Sequence, residues 1–340
     1  MRAKSRHHLA VVGLLTLVLT TGCQPQGPSA GPSGSDSASP SVPDVGRSVS
    51  PTVPDVSRSV SPSAPATSQS NGTVAAGAGG FDHVVIIVEE NKPASDILGK
   101  AAAPYINKLA AESALANNYQ ALAHPSLPNY LALTSGTTAG IADDCSPGGN
   151  CTAAVPSIAD RIEQSGRSWK MYAEGMPAPC AASNSGKYAV RHNPFMYYPG
   201  VTGDRNNCAA HVVPFTRFTA DLASASTLPN YVFISPNLCN DMHDCPVETG
   251  DAWLAQQVPL ILASPAFVTQ KSLLVITWDE GSDESNAVGA IFAGPAAKKG
   301  YQSGAPYGHY SLLHTIEASW GLAPLTNNDK GAPVMDDLLN

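Results

Sequence analysis

Acidic and amide side chains gather in three places, each directly after a short apolar run. Glu89-Glu90-Asn91 follows HVVIIV at residues 83–88, Asn237 and the acidic group at 241–244 follow YVFIS at 231–235, and Asp279-Glu280 follows SLLVITW at 272–278. One carboxylate after a strand is more often a turn or helix cap than a ligand. Three such groups delivered to one place would repel one another unless a cation sat among them. Glu90, Asn91, Asp279 and Glu280 are hard oxygen donors, so a divalent metal ion of unspecified identity is the economical reading. A second informative stretch is His124-Pro-Ser126-Leu-Pro-Asn129-Tyr. Ser126 with Pro128 in the first turn suits a plain helix start. The same geometry points a hydroxyl at free N–H groups and the positive end of the helix dipole, which suits attack on a phosphate once a metal activates the serine.

These groups need a scaffold that brings strand ends together. Short β-branched runs alternating with helical segments and Gly/Pro turns predict an α/β fold with a mainly parallel central sheet flanked by helices. Strands are expected at 83–88, 231–235, 272–278 and 288–293, and helices at 104–117, 129–134, 155–165, 253–263 and 310–320. In such a sheet the carboxyl ends of the strands line one edge, where ligands bind.

All 22 Trp, Tyr and Phe residues lie beyond residue 80, so a core can form only in residues 81–340. The formal charge of -8 is concentrated there too, because residues 1–22 carry only the cations Arg2, Lys4 and Arg6. That balance argues against nucleic acid as a partner. The basic start followed by the apolar run at 9–19 reads as an export signal, too short for a retained membrane span. Thr20-Thr21-Gly22-Cys23 resembles the lipobox of bacterial lipoproteins, which implies a lipid on Cys23 and a place on the outer side of the cell membrane. Thr20 departs from the commoner Leu. Residues 23–80, rich in Pro and Ser and containing SVPDVGRSVSP repeated as TVPDVSRSVSP, read as an extended disordered tether. Gly27-Pro-Ser29-Ala-Gly31 matches the GxSxG elbow but lacks the flanking strand and helix that motif needs.

Setting Cys23 aside leaves six cysteines, an even number in an exported chain. Neighbouring pairs are expected, Cys145 with Cys151, Cys180 with Cys208 and Cys239 with Cys245, because short loop closures cost least.

The segments Glu89-Glu90-Asn91, His124-Pro-Ser126-Leu-Pro-Asn129, Arg191-His192-Asn193-Pro194-Phe195, Cys239 to Cys245, Trp278-Asp279-Glu280-Gly281 and His309-Tyr-Ser-Leu-Leu, in this order, resemble the bacterial phosphoesterase family of acid phosphatases, phosphatidylinositol 3-phosphatase-like enzymes and phospholipases C. The resemblance implies an alkaline-phosphatase-like fold over residues 81–340, Ser126 as nucleophile, Asn129 beside the phosphoryl oxygens, and Glu90, Asn91, Asp279 and Glu280 as metal ligands. His192, His243 and His309 lie inside matching segments and are candidates for holding phosphate or protonating the leaving alkoxide. His314 stands where the family often has Arg and receives no role. The expected activity is hydrolysis of a phosphate monoester. The alternatives are a phospholipase C-type diesterase and a surface-anchored module that binds without turnover.

Overall fold

The computed structural model describes residues 80–340, so the export signal, the lipid on Cys23 and the tether lie outside the described residues. Nine strands form one sheet: β1 His83–Glu89, β2 Ala114–Gln120, β3 Trp169–Ala173, β4 Val212–Pro214, β5 Tyr231–Ser235, β6 Ser272–Trp278, β7 Ala287–Ala293, β8 Tyr301–Ser303 and β9 Tyr307–Gly308. The order is β4-β3-β5-β1-β6-β7-β2-β8, with β9 also paired to β2. Only β7 runs against its neighbours β6 and β2, and every other pairing is parallel. The mixed α/β sheet flanked by helices is therefore mainly parallel, as its apolar runs imply.

Strands β1, β5 and β6 are buried at every position, the mark of a parallel sheet covered on both faces. Within the core β1 sits between β5 and β6, so the three acidic groups do leave one edge side by side. The register aligns Glu89 with Trp278, which sets Glu90 next to Asp279 just beyond the last pair. Helix Ser126–Ser135 packs on His309–Trp320, and Pro104–Glu112 packs on Val247–Leu262.

One expected element is corrected. The helix anticipated at 104–117 stops at Glu112, and residues from Ala114 onward form β2. ALANNYQ has no β-branched residue, so pairing with β7, β8 and β9 overrides its local preference. A bulge between Ala116 and Tyr119 then turns the Tyr119 ring into the core. The other expected helices shift at their ends. Ser126–Ser135 begins at the serine itself, and Ile158–Gln164 starts behind a Ser157/Asp160 capping box. The three disulfides pair as expected, Cys145–Cys151, Cys180–Cys208 and Cys239–Cys245. Among the described residues no helix is long and apolar enough to cross a membrane.

Candidate active site

Ser126 is the first residue of its helix and is buried at the carboxyl edge of the sheet. Its Oγ donates to Glu90 Oε2 at 3.1 Å, and one turn later Tyr130 donates its phenol to Glu90 Oε1 at 2.6 Å. The i, i+4 spacing of a helix thus fixes both oxygens of one carboxylate from the strand edge. Asn91 Nδ2 also donates to Glu90 Oε2 (2.7 Å), which leaves the Asn91 amide oxygen available to a cation. The Asn91 backbone sits at φ 55°, a left-handed conformation uncommon outside glycine, and its N–H donates to Asp279 Oδ1 at 3.1 Å. The structure therefore brings Glu90, Asn91, Ser126 and Asp279 into one cluster. Glu280 is drawn to its rim, where Oε2 lies 2.6 Å from His124 Nδ1.

The histidines divide into distinct settings. His192 is buried, with Nε2 at 3.2 Å from Glu90 and Nδ1 at 3.3 Å from Asp241, and its ring stacks on Tyr130 at 5.4 Å between centroids. His243 lies at the mouth, its Nδ1 paired with Asp244 at 2.7 Å and its Nε2 accepting from Arg191 at 3.0 Å. Its backbone N–H donates to Asp241 Oδ1, so Asp241 orients both histidines. His309 is differently engaged. Its Nε2 donates to the Asp279 carbonyl at 2.7 Å and its Nδ1 lies 3.1 Å from the Tyr119 hydroxyl, so both ring nitrogens are engaged, one of them in holding the Asp279 backbone. Asn129 likewise spends its amide on the loop before the serine, accepting from the N–H groups of Leu122 and Ala123 and donating to the carbonyls of Ala123 and Pro125. No hydrogen-bonding capacity of that side chain is left for a substrate.

Crowding shapes the proton affinities. Burial, then the negative charges of Asp279 and Asp241, raises the Glu90 pKa well above the carboxylate range. Burial and Glu280 do the same to Asp279, and burial pushes Glu280 and Asp241 up to about 7. Burial and the nearby Arg191 lower His192, and burial lowers His309 to about 4, so both rings are neutral near pH 7. Asp279 Oδ2, Asp241 Oδ2 and His192 Nε2 are buried without a hydrogen-bond partner. Glu90, His192 and His243 each offer a donor atom, all within 4.8 Å of one another. Orphaned anionic oxygens and neutral imidazoles are a donor set that fits a divalent cation.

Tyr130, Asp144 and Arg191 also belong to the site. Asp144 Oδ1 accepts from the Leu127 N–H at 2.9 Å, and its Oδ2 lies 3.3 Å from Arg191 Nε. Their only signal was position, in or beside segments already singled out. Glu89, also buried and without a partner for either oxygen, ends β1 beside the site.

A buried hydroxyl at a helix start, a cluster of crowded carboxylates and this sheet together fit a hydrolase of phosphate esters on an alkaline-phosphatase-like fold. The fold is similar to that of a protein in the alkaline phosphatase superfamily from Vibrio parahaemolyticus, with a TM-score of 0.55 at 12% identity over 75% of this chain and 71% of that one. The phosphoesterase family pattern matches residues 96–323, and the chain belongs to the phosphoesterase family. A phosphatidylinositol-3-phosphatase of Mycobacterium tuberculosis is 36% identical over 271 residues, 78% of this chain and 86% of that protein. A phosphate-repressible acid phosphatase of Penicillium chrysogenum is 34% identical, with 75% of this chain and 63% of that protein covered.

Proposed function

We propose that the protein is an exported, metal-dependent phosphomonoesterase in which Ser126 is the nucleophile. The observation that carries this reading is the Ser126 hydroxyl at a helix start, hydrogen-bonded to a buried carboxylate whose neighbours hold unpartnered anionic oxygens. Glu90, Asn91, Asp279 and Glu280 would hold the cation, with the His192 imidazole beside Glu90 as a further donor. When bound, the cation supplies charge neutralisation and a lowered pKa for the attacking hydroxyl. Ser126 attacks phosphorus in line, Glu90 accepting the hydroxyl proton, and a phosphoserine forms as the alcohol departs. His243, at the mouth, holds Arg191 through Nε2, and the departing alkoxide takes its proton from solvent there. Water then releases phosphate from the same serine. His192 is held between Glu90 and Asp241, and His309 and Asn129 position the backbone around them.

The similar mycobacterial protein, a phosphatidylinositol-3-phosphatase by name, supports phosphoinositides among the substrates. Three disulfides support an oxidising location outside the cytoplasm, with the lipid on Cys23 as anchor. Release of p-nitrophenol from its phosphate ester tests the activity. Wild type should turn over, and Ser126→Ala should lose at least about 10³-fold in kcat while keeping its Tm. A variant retaining most of the turnover would replace the serine by direct attack of water.

A further inference from the structure

Asp144 lies in an exposed segment immediately before Cys145, just outside the loop that the Cys145–Cys151 disulfide closes. Its side chain nevertheless reaches the start of the Ser126–Ser135 helix, where Oδ1 accepts from Leu127 N–H at 2.9 Å. Pro128 has no N–H, so Ser126 and Leu127 supply the first-turn donors that can face an anion at this helix end. An internal carboxylate has taken one of them. Its other oxygen faces Arg191 Nε at 3.3 Å, but Nε is buried without an aligned hydrogen-bond acceptor, so the ion pair is poorly matched. The Arg191 guanidinium is anchored from its far side by His243 Nε2.

A carboxylate touching the N–H next to the nucleophile and the guanidinium beside it copies the charge and donor demands of a phosphoryl group. We propose that Asp144 is a displaceable stand-in for the substrate's phosphoryl oxygens, and that Arg191 and the Leu127 N–H are the groups that receive them. The proposal rests on the phosphatase reading above and adds the residues that bind the transferred group. Asp144 is an exposed-loop carboxylate held by one N–H and one poorly aligned ion pair. Its side chain is 30% exposed, so it can leave toward solvent. A phosphate monoester brings more charge and more acceptor oxygens than a carboxylate and displaces it. A diester, with a single charge, competes less well, so the Asp144–Arg191 pair favours monoesters.

Calorimetric titration of the metal-loaded full chain with inorganic phosphate tests this without turnover. Asp144→Asn keeps an oxygen for the Leu127 N–H but removes the charge, and should tighten phosphate binding about fivefold. Arg191→Met should weaken it by about tenfold and raise KM for p-nitrophenyl phosphate more than it lowers kcat, with a smaller effect on bis(p-nitrophenyl) phosphate. In the Arg191→Met background the gain from Asp144→Asn should vanish, because the two residues act on each other. Arg191→Lys, which keeps the charge without the fork, should fall between wild type and Arg191→Met. Unchanged or weaker phosphate binding in Asp144→Asn overturns the proposal even if Arg191→Met fails to fold, as does an equal effect of Arg191→Met on both ester types. A wild type that binds phosphate with these responses yet hydrolyses no ester would overturn the phosphatase reading alone.

Discussion

Two buried acidic groups in this molecule solve the same electrostatic problem in opposite ways. At the sheet edge Glu90, Asp241, Asp279 and Glu280 crowd together, leaving Asp279 Oδ2 and Asp241 Oδ2 without hydrogen-bond partners and setting the His192 imidazole between Glu90 and Asp241. Beneath the far end of the serine helix, Glu317 and Asp329 converge on one backbone N–H, that of Leu325, at 3.1 and 2.7 Å. Asp329 also accepts from the Thr326 N–H, and the Thr326 hydroxyl donates to the Gly136 carbonyl at the helix end. Gly136 is left-handed (φ 69°), and a Cβ there would lie 2.3 Å from Asp329 Oδ1, so the clamp requires glycine. Burial, then Asp329, pushes Glu317 up to about 9. The second pair is held by shared backbone donors and leaves only Glu317 Oε2 without a partner, whereas the first sets imidazoles beside its open oxygens. Buried carboxylates mark a metal site when their free oxygens meet neutral imidazoles, and a structural clamp when they share a donor.

The contrast can be broken first at Asp279. Asp279→Asn should weaken divalent-cation binding at least about a hundredfold and remove turnover with it, while Glu317→Gln changes neither. Titration calorimetry with the activating cation measures both. A loss of metal binding in Glu317→Gln would erase the distinction between the two regions.

A smaller effect is expected at the mouth. The Cys239–Cys245 disulfide closes the loop that carries Asp241, His243 and Asp244 and holds Met242 at φ 74°. Replacing both cysteines by Ser should lower turnover about severalfold while costing little global stability, because a short loop gains little from a crosslink. Normal turnover in the double variant would show that the loop is set by its other contacts.

The smallest effect concerns the clamp and pH. Glu317 has a folded pKa above its ordinary value of 4.5, so its contribution is fully present below that value and is lost as pH rises toward about 9. Glu317→Gln carries no titrating proton, so its Tm should fall less between pH 5 and 9 and exceed that of wild type at pH 9 by roughly 2–4 °C. Parallel melting curves of the two proteins would assign the pH response elsewhere.

Much of the scaffold is legible in the chain because the central strands announce themselves. HVVIIV, YVFIS and SLLVITW are apolar throughout, and the carboxylates that follow them land together for a topological reason. ALANNYQ and WKMYA carry no such signal, since their strand character comes from neighbours supplied by distant parts of the chain. Within the site the split is similar. Ser126 and the carboxylates beyond the strand ends stand out in the local pattern, but the partners of Glu90 come from Tyr130 and His192, residues whose approach depends on packing. Motif membership also misleads. Asn129 and His309 lie in matching segments, yet their polar atoms are engaged by backbone groups and, for His309 Nδ1, by the Tyr119 hydroxyl, a fact visible only once the chain is folded.

The central claim is that Ser126 carries the phosphoryl group between the two halves of the reaction. Acid quenching of the enzyme during turnover of p-nitrophenyl phosphate, followed by peptide mass spectrometry, tests it directly. We expect phosphate on the peptide containing Ser126 in wild type and none in Ser126→Ala. Steady turnover with no phosphorylated peptide, or phosphate trapped on another residue, would contradict it.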